Sequence, residues 1–284
     1  MENESAILAF FCRHLVGIGW YEGVINSNGD FTHHPSFYGA SAFLMQLHPH
    51  VPRYSLITAG HVFTDYASRM KKSGIVSRAH SLFDTWGPES VCKERLPFNC
   101  FDFPAVHEYD PASGVDFAAV LLPELFQRLL SQTIVPFTKA NWVHTGEMQF
   151  DFFAMIGLPN CEAEQRTFKE GSREAVVTFQ HPVVIFLQSC PAPEGVTPTS
   201  RPQFYGKIQS NVDLESVVGM SGGPIIGFRK VANGQLAYWP VAIQSRWLSG
   251  QRIVIGSLIA PIAASVENWI QRAIDDQTSR EVKD

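Results

Sequence analysis

Apolar residues along this chain fall in short runs broken by polar, Gly- and Pro-containing stretches. The pattern predicts strands over 14–21 ("HLVGIGWY"), 39–47 ("GASAFLMQL"), 54–63 ("YSLITAGHVF") and 115–123 ("VDFAAVLLP"). A second group is predicted over 150–159, 174–182, 183–190, 204–212, 222–228, 239–247 and 252–261. Helical spacing is rarer. The polar segment 64–74 suits a short helix, and "ELFQRLLSQ" (124–132) suits a short amphipathic one. In "IAASVENWIQRAIDD" (262–276), Val266, Trp269, Ile270 and Ile274 recur at three- and four-residue steps, which predicts one long amphipathic helix. Residues 84–104 and 192–203 read as irregular. Two runs of strands, a middle connection near 123–149 and a closing helix predict an all-β chain of two barrels within one domain, 1–284. The barrels are expected over about 14–135 and 145–261.

Composition narrows the function without naming it. At 284 residues and 45% hydrophobic content the chain can bury a sizeable core. A formal net charge of -5 argues against a nucleic-acid partner, which usually leaves a basic stripe. No apolar run has the length of a membrane helix, so no membrane partner is expected. The N-terminus, "MENESAILAFFCRH", opens with acidic residues and lacks the basic start of a secretory signal. Five cysteines (Cys12, Cys92, Cys100, Cys161, Cys190) without CxxC spacing read as reduced thiols in a cytoplasmic protein. A secreted form whose signal is not part of this sequence stays open. Zinc ligand spacing is absent, and no metal or organic cofactor is expected.

The segment "VVGMSGGP" (217–224) carries the candidate chemistry. Taken alone, Ser221 reads as a turn serine or as a nucleophile in a G-x-S-x-G loop. Chain order separates the options. No histidine follows Ser221, which excludes the α/β-hydrolase order, and the βαβ alternation of a subtilisin-like sheet is missing. The remaining order is histidine, acid, serine. His61 closes an apolar strand in "LITAGHVF", and Asp116 opens one in "GVDFAAVLL". Asp102 and Asp110 are rival acids, but neither begins such a strand. Serine needs a base to take its proton, a neutral imidazole can be that base, and a buried carboxylate holds the imidazole tautomer. The N–H groups of Gly219 and Ser221 are candidates for holding a developing oxyanion.

These residues resemble the trypsin/chymotrypsin-like serine protease family, including its bacterial intracellular branches. The histidine motif is Thr58-Ala59-Gly60-His61, the acid motif Asp116-Phe117-Ala118-Ala119-Val120, and the nucleophile motif Gly219-Met220-Ser221-Gly222-Gly223-Pro224. Their intervals of 55 and 105 residues suit the family, and the resemblance spans roughly 14–276. It implies two six-stranded antiparallel chymotrypsin-like barrels and a serine endopeptidase acting through an acyl-enzyme on protein or peptide substrates. It also implies that "PVAIQS" (240–245) binds substrate backbone and that Ser245 supports the buried acid. Met220 departs from the family, whose digestive members have Asp there, paired to an N-terminus freed by zymogen cleavage. That ion pair cannot form, so control is expected from a regulatory protein partner, a loop movement or an added domain on another chain, with latency or narrow specificity as the result. A role in stress or phage defence would fit such an enzyme. A docking module that keeps the fold without catalysis, and an esterase using the same triad, are the alternatives.

Three further features stay open in the sequence. Glu215 matches the family's pocket floor, where a carboxylate would select Lys or Arg, or else it is a surface residue paired to Arg246; Asp213 competes for the position. His33 and His34 read as loop decoration rather than a metal site. Cys190 has no evident activating base nearby and reads as structural or free.

Overall fold

The computed structural model describes residues 8–26, 29, 31, 35–47, 53–84, 95–142, 148–170, 173–209, 216–231 and 235–281. A short helix α1 (8–12) leads into β1 (Leu15–Val24), β2 (Ser36–Met45) and β3 (Ser55–Thr58). Helix α2 (Gly60–Met70) follows, then β4 (Ile75–Phe83), β5 (Leu96–Pro97), β6 (Ala105–Asp110) and β7 (Val115–Leu121). Two short helices, α3 (Glu124–Leu130) and α4 (Lys139–Trp142), connect this half to the next. The second half runs through β8 (Phe152–Gly157), β9 (Ala163–Glu170), β10 (Arg173–Gln180), β11 (Val183–Ser189) and β12 (Gln203–Ile208). It ends with β13 (Pro224–Lys230), β14 (Leu236–Leu248), β15 (Ile253–Leu258) and helix α5 (Ile259–Glu281).

The chain is mostly β, with a closed barrel of six strands in the C-terminal half, ordered β11-β12-β15-β14-β13-β8. The N-terminal half differs from the expected six-stranded barrel. It is one seven-stranded antiparallel sheet, ordered β5-β4-β1-β2-β3-β7-β6, and its end strands are not paired to each other among the described residues. The extra strand, β5, is two residues long and caps β4 at Ser81 and Leu82. β9 and β10 form a separate hairpin.

Three apolar clusters follow from the alternation of the strands. One fills the N-terminal sheet, from Val16, Ile18 and Trp20 to Leu122 and Ile134. A second fills the barrel and contains Met155, Ile185, Val217, Met220, Ile225 and Ala242. The third lies between the halves, where Phe43, Ile57, Val115 and Phe117 meet Ala154, Ile156, Ile226 and Ile243. Helix α5 closes that seam with Ile259, Ile262, Ala263, Val266 and Ile270, residues three and four apart on one face. The halves are therefore joined by a shared apolar core.

Some predicted boundaries shift. The strand expected over 54–63 ends at Thr58, and a helix begins at Gly60, so His61 lies in a helical first turn rather than on a strand end. No helix among the described residues is long and apolar enough to cross a membrane. No group of three or more His, Cys, Asp or Glu among them could hold a metal ion. His33, His34, Cys92, Asp213 and Glu215 lie outside the described residues.

Candidate active site

Two strands of the N-terminal sheet bring His61 and Asp116 together. β3 pairs with β7 in the register Thr58↔Ala118, so the residue opening β7 lies beside the turn leaving β3. Ala59 occupies the N-cap position of α2 and offers no side-chain cap. The Asp116 carboxylate serves instead: its Oδ1 accepts the His61 backbone N–H at 2.9 Å, at the helix end that favours negative charge. Its Oδ2 lies 2.7 Å from His61 Nδ1. Asp116 is 2% exposed, and the Ser245 hydroxyl donates to the same Oδ2 at 2.6 Å. Three hydrogen bonds thus satisfy a buried carboxylate.

This arrangement separates Asp116 from its rivals. Asp102 accepts from Asn99 Nδ2 at 2.8 Å, and Asp110 accepts from the Ala112 N–H of its own turn at 3.0 Å. Burial of His61 disfavours its charged form. The hydrogen bond and charge of Asp116, with the charge of Asp65, outweigh burial and raise its pKa above the ordinary 6.5. Because Nδ1 faces a carboxylate, a neutral His61 carries its proton there and leaves Nε2 as the basic nitrogen. Tyr109, which carried no signal in the sequence, packs edge-on against the imidazole with ring centroids 5.8 Å apart.

The Ser221 loop belongs to the barrel but leans on the N-terminal sheet. Gly222 has φ +88, and a side chain there would collide with Thr58 Oγ1 and the Ser41 carbonyl. The loop therefore packs directly on the residues leading to His61. Gly219 has φ +96, a conformation that glycine adopts without strain. Gly222 N donates to Gln244 O at 2.8 Å and Gln244 N to Gly223 O at 2.9 Å, which sets Ser245 one residue beyond the loop. Ser221 is partly exposed. No direct hydrogen bond joins its hydroxyl to His61, a contact that in unliganded active sites is often long. Among the described residues, the N–H groups of Gly219 and Ser221 donate to no protein acceptor. Two free donors flanking a loop serine can stabilise an oxyanion.

Met220, between those donors, is fully buried in the barrel core with Val217 and Met155. Its apolar side chain anchors the loop inward. Met220→Asp would force a carboxylate into that core. It is expected to lower stability by roughly 3 kcal/mol or more, read as a fall in the denaturant midpoint, because no Lys or Arg among the described residues is buried to pair with it.

Beyond Ile243, β14 pairs with β15 alone among the described strands, leaving its other edge open at Arg246–Leu248. An open groove of about 580 Å³ is lined by Pro111 and Ala112 of the β6–β7 turn and by Glu194, Arg246, Leu248 and Gln251. An extended peptide can add to such an edge. Three of the described cysteines have thiols held in the protonated form, which is the poorer nucleophile. Burial pushes the Cys12 thiol up to about 12 and raises Cys100. Burial also raises Cys190, against the opposing charge of Lys207.

No family model matches the chain, and no curated protein matches it. Among solved structures it is similar to a thermostable serine protease, AL20, from an extremophilic microorganism. That match has a TM-score of 0.44 and 13% identity, and covers 92% of this chain and 97% of the other. It is also similar to the catalytically active tobacco etch virus protease complexed with product (TM-score 0.38, 11% identity, 87% and 73% covered). A third is the tobacco vein mottling virus protease (TM-score 0.36, 9% identity, 85% and 76% covered). At these values, what the site can do is decided by its own geometry.

Proposed function

We propose that this chain is a serine endopeptidase of the trypsin/chymotrypsin-like family, working in the cytoplasm on a protein or peptide substrate. Ser221 attacks the peptide carbonyl and His61 takes its proton. Asp116 holds the imidazole, supported by Ser245, and the Gly219 and Ser221 N–H groups receive the oxyanion. His61 passes that proton to the leaving amine as the C–N bond breaks and the acyl-enzyme forms; it then takes a proton from the attacking water and gives it to Ser221 as the acyl C–O bond breaks. The observation that carries this reading is the buried Asp116 carboxylate, bonded at once to His61 Nδ1 at 2.7 Å and Ser245 Oγ at 2.6 Å, beside a serine loop with two unused N–H donors. A capped strand entry needs none of that.

The test is reaction with a fluorophosphonate probe. Wild-type protein is expected to be labelled and Ser221→Ala to stay unlabelled. Folded wild-type protein that resists the probe, alone and with host lysate added, would point to a docking module. Activity on aryl esters without any peptide cleavage would point to an esterase. Lysate-dependent labelling would identify control by a partner.

Glu215 remains the candidate for a pocket floor that selects Lys or Arg. On that reading, a peptide library is cut after Lys and Arg, and Glu215→Ala lowers that preference by about 100-fold, the loss expected when a buried cation has no counter-charge. Equal cutting after Leu or Glu by the wild type sinks the assignment.

A further inference from the structure

We infer that Ser41 and the backbone N–H of Asn160 form a clamp that holds the nucleophile loop in its oxyanion-binding shape. Both are positioning residues, and the inference rests on the protease reading above. A trans peptide is planar, so its C=O and N–H point in opposite directions. A bond that pins a carbonyl therefore also aims the N–H of the following residue.

Each peptide from 218 to 222 is pinned. Val218 O accepts from Asn160 N at 2.7 Å, which turns the Gly219 N–H away from Asn160. Gly219 O accepts from Ser41 Oγ at 3.0 Å, and the same peptide's Met220 N donates to Val217 O at 3.0 Å. Met220 O accepts from Gly223 N at 2.9 Å, which aims the Ser221 N–H. Ser221 O accepts from Ser41 N at 3.0 Å, and Gly222 N donates to Gln244 O at 2.8 Å. The two N–H groups left over are the two assigned to the oxyanion.

Ser41 supplies two of these pins from the other half of the molecule. It is fully buried, and its hydroxyl is used twice, donating to Gly219 O and accepting from Leu158 N at 2.9 Å. Thr58 Oγ1 donates to Ser41 O at 2.8 Å and steadies its backbone. This is possible because β2 pairs with β3 only from Phe43 onward, so Ser41 has a free edge for the loop. Asn160 is held in turn by Gln180, whose Nε2 donates to Asn160 Oδ1 at 3.1 Å. A glycine at 219 gives the loop freedom to rotate, and Met220 cannot form an ion pair with a new N-terminus. The clamp replaces that restraint, so the intact chain holds the oxyanion site without a cleavage step.

Asn160→Pro deletes the N–H, whereas Asn160→Ala keeps it. Proline suits the first position of the 3₁₀ turn at Asn160–Glu162, and Pro159, at ψ 138, has the backbone that precedes a proline. With a fluorogenic peptide from the cleavage profile, Ser41→Ala and Asn160→Pro are expected to lose about 10- to 100-fold in kcat. KM should stay within about threefold, and fluorophosphonate inactivation should slow in step with kcat, because both reactions place an oxygen in the same site. Asn160→Ala keeps that N–H while giving up the Gln180 contact, and should lose far less than Asn160→Pro. If Ser41→Ala does not fold, Ser41→Cys, similar in size but a weaker hydrogen-bonding group, is expected to show the same split with a smaller loss. Unchanged kcat in folded Ser41 and Asn160→Pro variants, or a change confined to KM, overturns the clamp. A wild-type chain that never reacts overturns the protease reading instead.

Discussion

Ser221→Ala is expected to reduce peptide turnover by about 10⁶-fold, the scale seen when a triad nucleophile is removed from an active enzyme. The fold should survive, because Ser221 contributes its backbone to the loop while Met220 supplies the buried anchor. Circular dichroism and the melting temperature should match wild type while cleavage of the library peptide disappears. What activity remains would come from binding and the oxyanion donors alone. A variant that still cleaves within tenfold of wild type would show that the reaction uses another group, or no covalent step at all.

The second large effect is at Asp116. Asp116→Asn is expected to lower kcat by about 10⁴-fold, since an amide no longer holds His61 in the tautomer with its proton on Nδ1. The pH profile adds a readout that a general loss of packing would not move. Attack needs neutral His61, so wild-type kcat/KM should rise with pH through the folded pKa of His61, which lies above 6.5. Asn in place of Asp removes the hydrogen-bonded carboxylate and its charge and leaves burial as the stronger influence. The rising limb should therefore move to lower pH as the plateau falls. Stability runs in the opposite sense. A histidine whose folded pKa is raised contributes stability that is complete below its unfolded value and is lost as pH rises through the folded one. The His61–Asp116 pair thus strengthens the fold most at the pH where the proposed reaction would be slowest. A wild-type limb centred below 6.5, or an Asn variant whose limb does not move, would contradict this arrangement.

Much of this site was legible because its residues sit in short local motifs. Thr58-Ala59-Gly60-His61 and Gly219–Pro224 have glycines where backbone crowds backbone, and that constraint leaves a trace in the residue type itself. Ser41 left no such trace. In "GASAFLM" it is one small residue in an apolar strand, and its partners Leu158 and Gly219 lie 117 and 178 residues away. Tyr109 was equally silent, since an edge-on contact with an imidazole sets no spacing. Elements were missed where burial was incomplete. β9, "AEQRTFKE", belongs to a separate hairpin whose residues from Glu164 to Thr167 are exposed, so no apolar alternation marks it. β4 and β6 were missed for the same reason, since β4 exposes Arg78 and Ala79 and β6 exposes His107, Glu108 and Tyr109. The short helix expected from about residue 64 starts instead at Gly60, because Asp116 caps it from another strand.

By itself the sequence determined a mostly β chain with a closing amphipathic helix, and the order of a histidine, an acid and a serine along it. Periodicity and local motifs are properties of neighbours in the chain, so they can be read there. The tertiary structure alone decided that the N-terminal half is a seven-stranded sheet and that Asp116, the acid the sequence favoured, is buried and bonded to His61 and Ser245 at once. It also decided that Ser41 bonds to the loop carrying Ser221 from the other half of the molecule. Those outcomes depend on strand register and on how two halves dock, and hydrogen bonds between distant residues form only once both are set.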